Sequence, residues 1–169
     1  MNIVYIIDII GVLGPYITLI LTTILLVYKQ TYFNIFLLAS AVNIILNIIL
    51  KLWFKEPRPS DDKKILEIAI NNNNRILFDN YGMPSLHSQL MLFTLTYILL
   101  VYNSPYLTLL YGLLTVNTIL QRFKYNNHTF YQLFIGAIVG AIIGVISYVI
   151  AHFRLMGEIK QKPDDNAVK

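Results

Sequence analysis

The segment Gly82–Ser88 (GMPSLHS) is short and polar, and it is followed directly by the apolar run Leu90–Val101. Pro84 favours a helix start because its missing N–H costs nothing there, and Ser85 is a natural helix N-cap. The unpaired N–H groups and the dipole of a helix start make it an anion site. The imidazole of His87, two residues into that helix, can donate a proton to the group to which the anion is attached. A Pro-Ser pair of this kind is more often only a helix start, and the segment indicates acid–base chemistry on a bound anion only if cations from elsewhere in the chain lie beside it.

The composition of the chain indicates an integral membrane protein. Hydrophobic residues make up 56% of the 169 residues and charged residues only 13%, whereas soluble domains carry about 25% charge. The Lys and Arg behind the net charge of +4 lie in loops and in the tail. That distribution suits membrane flanks and phosphate contacts rather than nucleic acid. The absence of Cys excludes disulfides and thiolate metal sites.

Five stretches of the chain are candidates to cross the hydrocarbon of a bilayer, which takes about 20 apolar residues. They predict an all-α, multi-pass transmembrane helical bundle of about five spans within residues 1–153, because an isolated sheet edge is not stable in lipid. The polar tail, residues 154–169, is predicted to be disordered. The predicted spans are Ile10–Tyr28, Tyr32–Leu52, Leu86–Tyr102, Tyr106–Leu120 and Thr129–Phe153.

Several polar and small residues in and between these spans favour structural roles. Asn43 and Asn47 share one helical face with Lys51, and we expect both amides to form hydrogen bonds between helices. Between the second and third spans, Asp61–Ala69 has apolar residues at helical spacing, which predicts an interfacial helix. The polar run Asn71–Asn74 is predicted to be a flexible loop. A spacing of four between glycines in the last span predicts close packing against another helix. These glycines are Gly136, Gly140 and Gly144.

Five alternating spans bring four span ends to one face of the membrane, and residues capable of chemistry lie at all four. Lys51 and Arg58 lie at and just after the end of the second span, and Ser85–Ser88 begins the third. Arg122 lies at the end of the fourth span, and His128 precedes the fifth. A lone arginine at such a place is more often a flank residue. Three cations and two imidazoles on one face indicate a phosphate site.

In order, spacing and placement, these residues resemble the three signature motifs of the type 2 phosphatidic acid phosphatase superfamily. Its members are membrane lipid phosphatases that share a pocket with vanadium haloperoxidases. The resemblance covers about Lys51–Gln132, and the other spans match only in kind. The matching segments are Lys51-x6-Arg58-Pro59, Pro84-Ser85-x-His87-Ser88 and Arg122-x5-His128.

The resemblance implies a mechanism that uses neither a metal nor another cofactor. His128 would attack phosphorus and become a phosphohistidine. His87 would protonate the leaving group and then activate water. Cationic side chains and helix N–H groups would neutralise the phosphoryl oxygens. The implied phosphate-binding residues are Lys51, Arg58, Ser85, Leu86, His87 and Arg122.

The chain departs from the superfamily pattern at three positions. Gln121 stands where Ser is usual, Leu86 where Gly is usual, and Gln132 where an Asp normally follows the nucleophile by four residues. Because four residues make about one helical turn, the amide oxygen of Gln132 can accept from Nδ1–H of His128 and determine its tautomer. It offers no negative charge to the imidazolium.

The branch of the superfamily that resembles this chain in that respect is the dolichyl diphosphate phosphatases, which are also similar around Tyr81–Ser85 and His87–Gln89. The branch implies hydrolysis of the terminal phosphate of a polyprenyl diphosphate, most readily dolichyl diphosphate, in service of protein N-glycosylation. It also implies the membrane of the endoplasmic reticulum, with a lumenal site. The distribution of Lys and Arg does not decide the orientation, because both faces are equally basic once the phosphate ligands are set aside.

Several alternatives stay open from the sequence. Phosphatidic acid, other lipid phosphates and undecaprenyl diphosphate are possible substrates within the superfamily. A catalytically inactive scaffold that binds lipid phosphates is a second class, motivated by Gln132. A small transporter or channel subunit is a third, with Asn43 and Asn47 as pathway residues, and it leaves the three motifs unexplained.

Overall fold

The computed structural model describes residues 3–59 and 80–161 of the chain. In these two ranges the protein consists of five α-helices without a strand, and this confirms the predicted all-α class. The helices are α1 (Ile3–Leu26), α2 (Gln30–Phe54), α3 (Leu86–Tyr102), α4 (Pro105–Lys124) and α5 (Phe130–Gln161).

Three of the described helices, α1, α2 and α5 up to Gly157, are long and apolar enough to cross a membrane. The helix α3 is apolar but shorter. Its 17 residues extend about 26 Å at 1.5 Å per residue, close to the hydrocarbon thickness of about 30 Å. The short α3 and the adjoining α4 complete the bundle, and the protein is an integral membrane protein.

The first helix begins at Ile3, earlier than the predicted Ile10, because Asp8 does not interrupt it. The Asp8 carboxylate is buried and forms an ion pair with Lys124, whose Nζ lies 3.2 Å from Oδ2. Tyr125 donates a further hydrogen bond to the same oxygen. A buried carboxylate is tolerated when it is paired in this way. The pair also attaches the start of α1 to the end of α4.

The last helix continues past the predicted end of the span, Phe153, as far as Gln161. The structure therefore describes residues 154–161 of the tail as part of α5. Each residue added to an existing helix gains a backbone hydrogen bond. The helix α5 contains no proline, and the first proline after it is Pro163. Residues 162–169 lie outside the described residues, as do the predicted interfacial helix Asp61–Ala69 and the predicted loop Asn71–Asn74.

The glycine stripe of α5 packs directly against α3, as its spacing predicts. A Cβ on Gly140 would overlap the backbone oxygen of Gln89, and one on Gly144 would lie 2.9 Å from Cβ of Thr96. A Cβ on Gly136 would meet the backbone of Ser85. The absence of side chains here lets α5 approach the first residues of α3.

Asn43 and Asn47 of α2 form hydrogen bonds to α3, which confirms their predicted structural role. Asn47 Nδ2 donates to Gln89 Oε1 at 2.8 Å and to the Pro84 carbonyl at 3.2 Å. Gln89 Nε2 in turn donates to the side-chain Oδ1 of Asn43 at 2.5 Å and to its backbone carbonyl at 3.0 Å. All three amide side chains are buried. These contacts hold the backbone that precedes α3 against α2.

An apolar core lies farther along α3, away from its first residues. It consists of Leu26, Phe36, Phe93 and Tyr97. The rings of Phe36 and Phe93 stack with centroids 5.4 Å apart.

The glycine contact yields a stability prediction. We expect Gly140→Ala to lower the melting temperature of the protein in detergent, because overpacking of this kind costs about 1–3 kcal/mol. Gly112→Ala is the matched control, since nothing lies within 4 Å of a Cβ at that position and Ala is the better helix former. Circular dichroism on heating compares the two variants. Equal melting temperatures would contradict the close α3–α5 contact.

Candidate active site

His128 lies in a tight loop between α4 and α5. The Tyr125 N–H donates to the Gln121 carbonyl at 3.2 Å, and the Asn127 N–H donates to the Arg122 carbonyl at 3.1 Å. Asn126 has φ 51°, a left-handed conformation that asparagine adopts more readily than most residues. The loop therefore turns the chain sharply between Arg122 and His128.

The hydrogen bonds of the His128 imidazole determine which nitrogen carries the proton. Nδ1 lies 2.9 Å from the Gly82 carbonyl oxygen and 3.3 Å from Gln132 Oε1. Both partners are acceptors, so Nδ1 is the protonated nitrogen. Nε2 lies 3.2 Å from Nη1 of Arg58, a donor, and therefore presents its lone pair to the guanidinium. The ring is only 2% exposed.

The surroundings of His128 favour the neutral imidazole. Burial lowers its pKa well below the usual value, and the charges of Arg58, Arg122 and Lys51 lower the pKa further, with a smaller effect from His87. Taking the ring out of water and placing cations beside it both disfavour the protonated form. These contributions show that the predicted cations act together on His128.

The cations Lys51 and Arg58 are positioned by the end of α2. Lys51 is buried in its last turn. Lys55, at the C-cap, has φ 51° and its N–H donates to the Lys51 carbonyl at 3.0 Å, which ends the helix. The chain then turns so that Arg58 Nη1 also reaches the Asn127 carbonyl, at 3.3 Å. The guanidinium thus joins the loop after α2 to the loop before α5.

The start of α3 matches the prediction from its sequence. Ser85 is the N-cap, and its side chain accepts from the Ser88 N–H. The Ser85 N–H donates to the Gln132 carbonyl at 3.1 Å, and Ser88 Oγ donates to the Leu133 carbonyl at 2.6 Å. The preceding Met83–Pro84 peptide bond is cis. The first N–H groups of α3 are therefore held beside the first turn of α5.

His87 occupies the second position of α3, where its imidazole faces the backbone carbonyl of Val12 in α1. It lies within electrostatic reach of Arg122, Arg58 and Lys51. The two imidazoles thus share the same three cations. The structure brings all the predicted site residues to one end of the bundle, with Leu86 supplying the first N–H of α3.

Gln132 has a second role at the start of α5. Thr129 precedes α5, and its N–H donates to Gln132 Oε1 at 3.2 Å, while the Gln132 N–H donates to Thr129 Oγ1 at 3.2 Å. This reciprocal pair is a capping box, for which T-x-x-Q is the sequence signal. The side chain that contacts His128 is therefore also fixed by the start of its own helix.

Three contacts of the site were missed from the sequence. The Gly82 carbonyl accepts from His128, the Asn127 carbonyl accepts from Arg58, and Glu56 accepts from the Gln132 amide. No residue type signals a backbone acceptor in a loop. Glu56 had a usable signal, since a carboxylate two residues before a predicted phosphate-binding arginine invites the question of what it contacts.

The lowered pKa of His128 yields a prediction for stability against pH. The unfolded chain takes up a proton near pH 6.5, whereas the folded protein keeps this ring neutral. The free energy of unfolding should therefore fall as the pH drops below about 6.5. We expect His128→Ala to flatten part of this dependence, measured as melting temperature between pH 5 and 8. Parallel curves for the wild type and His128→Ala would contradict the assignment.

Comparison with known proteins identifies the family of the chain. No curated protein and no solved structure matches the chain. The family model described as the PAP2 superfamily matches residues 32–156, a range that contains all three of the segments around Arg58, His87 and His128. Proteins of this family are helical membrane phosphatases, typically of lipid phosphates. The chain therefore belongs to the PAP2 superfamily.

Proposed function

We propose that the protein removes the terminal phosphate from a polyprenyl diphosphate, most readily dolichyl diphosphate, with His128 as the nucleophile. The observation that carries the proposal is the arrangement of the His128 ring. Its proton is held on Nδ1 by two acceptors, and its Nε2 lies 3.2 Å from a nitrogen of Arg58. A guanidinium binds phosphate oxygens well, so a phosphate held there would have its phosphorus close to the lone pair of Nε2.

The reaction follows from these positions in two steps. Nε2 of His128 attacks the terminal phosphorus, the bond to the bridging oxygen breaks, and His87 gives a proton to the departing phosphate monoester. His87 then takes a proton from water, which attacks the phosphohistidine and releases inorganic phosphate. Lys51, Arg58 and Arg122 stabilise the negative charge that builds up on the phosphoryl oxygens.

The preference for a diphosphate rests on the leaving group. Gln132 gives His128 a neutral acceptor where the superfamily usually has an acid. The monoester expelled from a diphosphate has a second pKa of about 6, so it leaves far more readily than the alkoxide released from a lipid monophosphate. A less strongly supported nucleophile is then sufficient.

The same proposal places the enzyme in the membrane of the endoplasmic reticulum, with His128 facing the lumen. Its support is the resemblance of Tyr81–Ser85 and His87–Gln89 to the dolichyl diphosphate phosphatases. Within the chain, the phosphatase domain is residues 1–153.

The assignment of the nucleophile is tested with a matched pair of histidine variants. We expect wild type and His152→Ala to release phosphate from a polyprenyl diphosphate in detergent with a chelator present. His152 lies near the far end of α5, where Nδ1 is 3.3 Å from the Tyr32 hydroxyl. His128→Ala should lose at least about a thousandfold in rate. Phosphate release is measured by malachite green.

Two outcomes would contradict this assignment. Absence of turnover with phosphate-sensitive lipid binding retained would indicate the inactive scaffold. Strict dependence on magnesium would contradict the metal-independent mechanism.

The leaving-group argument has its own test. We expect kcat/KM for a polyprenyl diphosphate to exceed that for phosphatidic acid by at least about tenfold, which corresponds to about 1.4 kcal/mol of transition-state free energy. Both lipids are assayed in the same mixed micelles. Equal values would overturn the argument from Gln132 and leave a general lipid phosphatase.

A further inference from the structure

A carboxylate to which the mechanism above assigns no role lies one side chain away from His128. We propose that Glu56 is a positioning residue that supplies, through the amide of Gln132, the negative charge that stabilises His128 as it becomes cationic. The inference rests on the proposed function, in which His128 is the nucleophile. We call Glu56, Gln132 and His128 the carboxylate–amide chain.

The hydrogen bonds of Gln132 leave its amide a single orientation. Nε2 donates to Glu56 Oε1 at 2.8 Å and to the Pro57 carbonyl at 2.9 Å. Oε1 accepts from the Thr129 N–H at 3.2 Å and lies 3.3 Å from His128 Nδ1. Both N–H groups and both lone pairs of this buried amide are thus used. A reversed amide would set donors against donors at Thr129 and His128.

The carboxylate–amide chain transmits the effect of the Glu56 charge to His128 by polarising the Gln132 amide. A hydrogen bond from Nε2 to a carboxylate is charge-assisted, and it draws electron density toward the Oε1 end of the amide. Linked hydrogen bonds strengthen one another inside a protein, so Oε1 becomes a better acceptor for the His128 Nδ1 proton. An Asp four residues after the nucleophile would act on the imidazole directly. Here Glu56 acts on it through one intervening amide.

The effect is specific to the transition state. The imidazole is neutral before attack and becomes positively charged as Nε2 bonds to phosphorus. A negative charge at Glu56 therefore stabilises the transition state more than the bound substrate, and such interactions raise the rate of the chemical step. Its loss should lower the rate of phosphohistidine formation and leave substrate affinity nearly unchanged.

Backbone contacts hold Glu56 in place beside the other two residues of the carboxylate–amide chain. Its carbonyl accepts from the Gly82 N–H at 2.8 Å, and Pro57 pairs with Tyr81 in an isolated antiparallel bridge. Gly82 is the residue whose carbonyl receives the His128 proton. A Cβ on Gly82 would lie 2.7 Å from Cδ of Gln132, so the amide occupies the space that a side chain would need. One loop contact thus positions both acceptors for His128.

The test separates charge from packing by moving the carboxylate. Glu56→Gln keeps the size and the hydrogen-bond acceptor and removes the charge. The double variant Glu56→Gln/Gln132→Glu places a carboxylate directly beside His128. The new acid also suits the capping box, which accepts either Glu or Gln at that position. Asp8→Asn is the control, because it removes another carboxylate at the same end of the bundle that does not belong to the carboxylate–amide chain.

We expect Glu56→Gln to slow single-turnover formation of the phosphohistidine by about 10–100-fold, the size of effect seen when the hydrogen-bond partner of a metal-binding histidine is removed. Substrate affinity and melting temperature should stay near the wild-type values. The double variant should recover most of the rate. The Asp8→Asn control should form the intermediate at the wild-type rate. A Glu56→Gln variant as fast as wild type would overturn the proposal.

A second measurement tests the carboxylate–amide chain in the absence of substrate turnover. The protein contains three histidines, so ¹⁵N-histidine spectra resolve the Nδ1 proton of His128, assigned by its loss in His128→Ala. Glu56→Gln should move this resonance upfield because its acceptor is weaker, and the double variant should move it back. An unmoved resonance overturns the proposal even in an active enzyme. A moved resonance in a protein that releases no phosphate supports the carboxylate–amide chain and rejects the proposed function.

Discussion

Three positive side chains held close to one neutral imidazole are the constraint on which the rest of the structure depends. Lys51 and Arg122 are almost completely buried, and both lower the pKa of His128 together with Arg58. Like charges in a poorly solvated place repel one another and favour the arrival of an anion. The fold must hold these groups in place between turnovers, when no substrate phosphate neutralises them.

The bundle meets this constraint with close helix packing and with hydrogen bonds between helices and loops. The glycines of α5 bring it close to the first turns of α3, and the amides of Asn47 and Gln89 hold the Pro84 carbonyl. Three loops are joined to one another where the helices end, through Gly82, Arg58 and Asn127. Supporting contacts of this kind are what keep reactive groups within a fraction of an ångström of a productive geometry.

The substitution of Gln132 for the usual acid is better understood from its surroundings than from its type. As a lone amide it suggests a weakened nucleophile or an inactive protein. In the fold it is fully hydrogen-bonded, contacts His128 on one side and Glu56 on the other, and caps its own helix. The carboxylate is therefore not missing from the neighbourhood of His128, and its position depends on the loop after α2.

The sequence by itself determined the helical class, most helix ends and the residues gathered at one face. Apolar length and the need to satisfy backbone groups in lipid leave few other structures, and local signals such as the Ser85 cap act within one turn. The tertiary structure alone decided which residues far apart in the sequence form hydrogen bonds and ion pairs with one another. The bonds from Gly82 to His128 and from Glu56 to Gln132 join residues 46 and 76 positions apart, and the pairing of Asp8 with Lys124 extended α1. Such contacts depend on how loops meet after the helices pack, which no local pattern encodes.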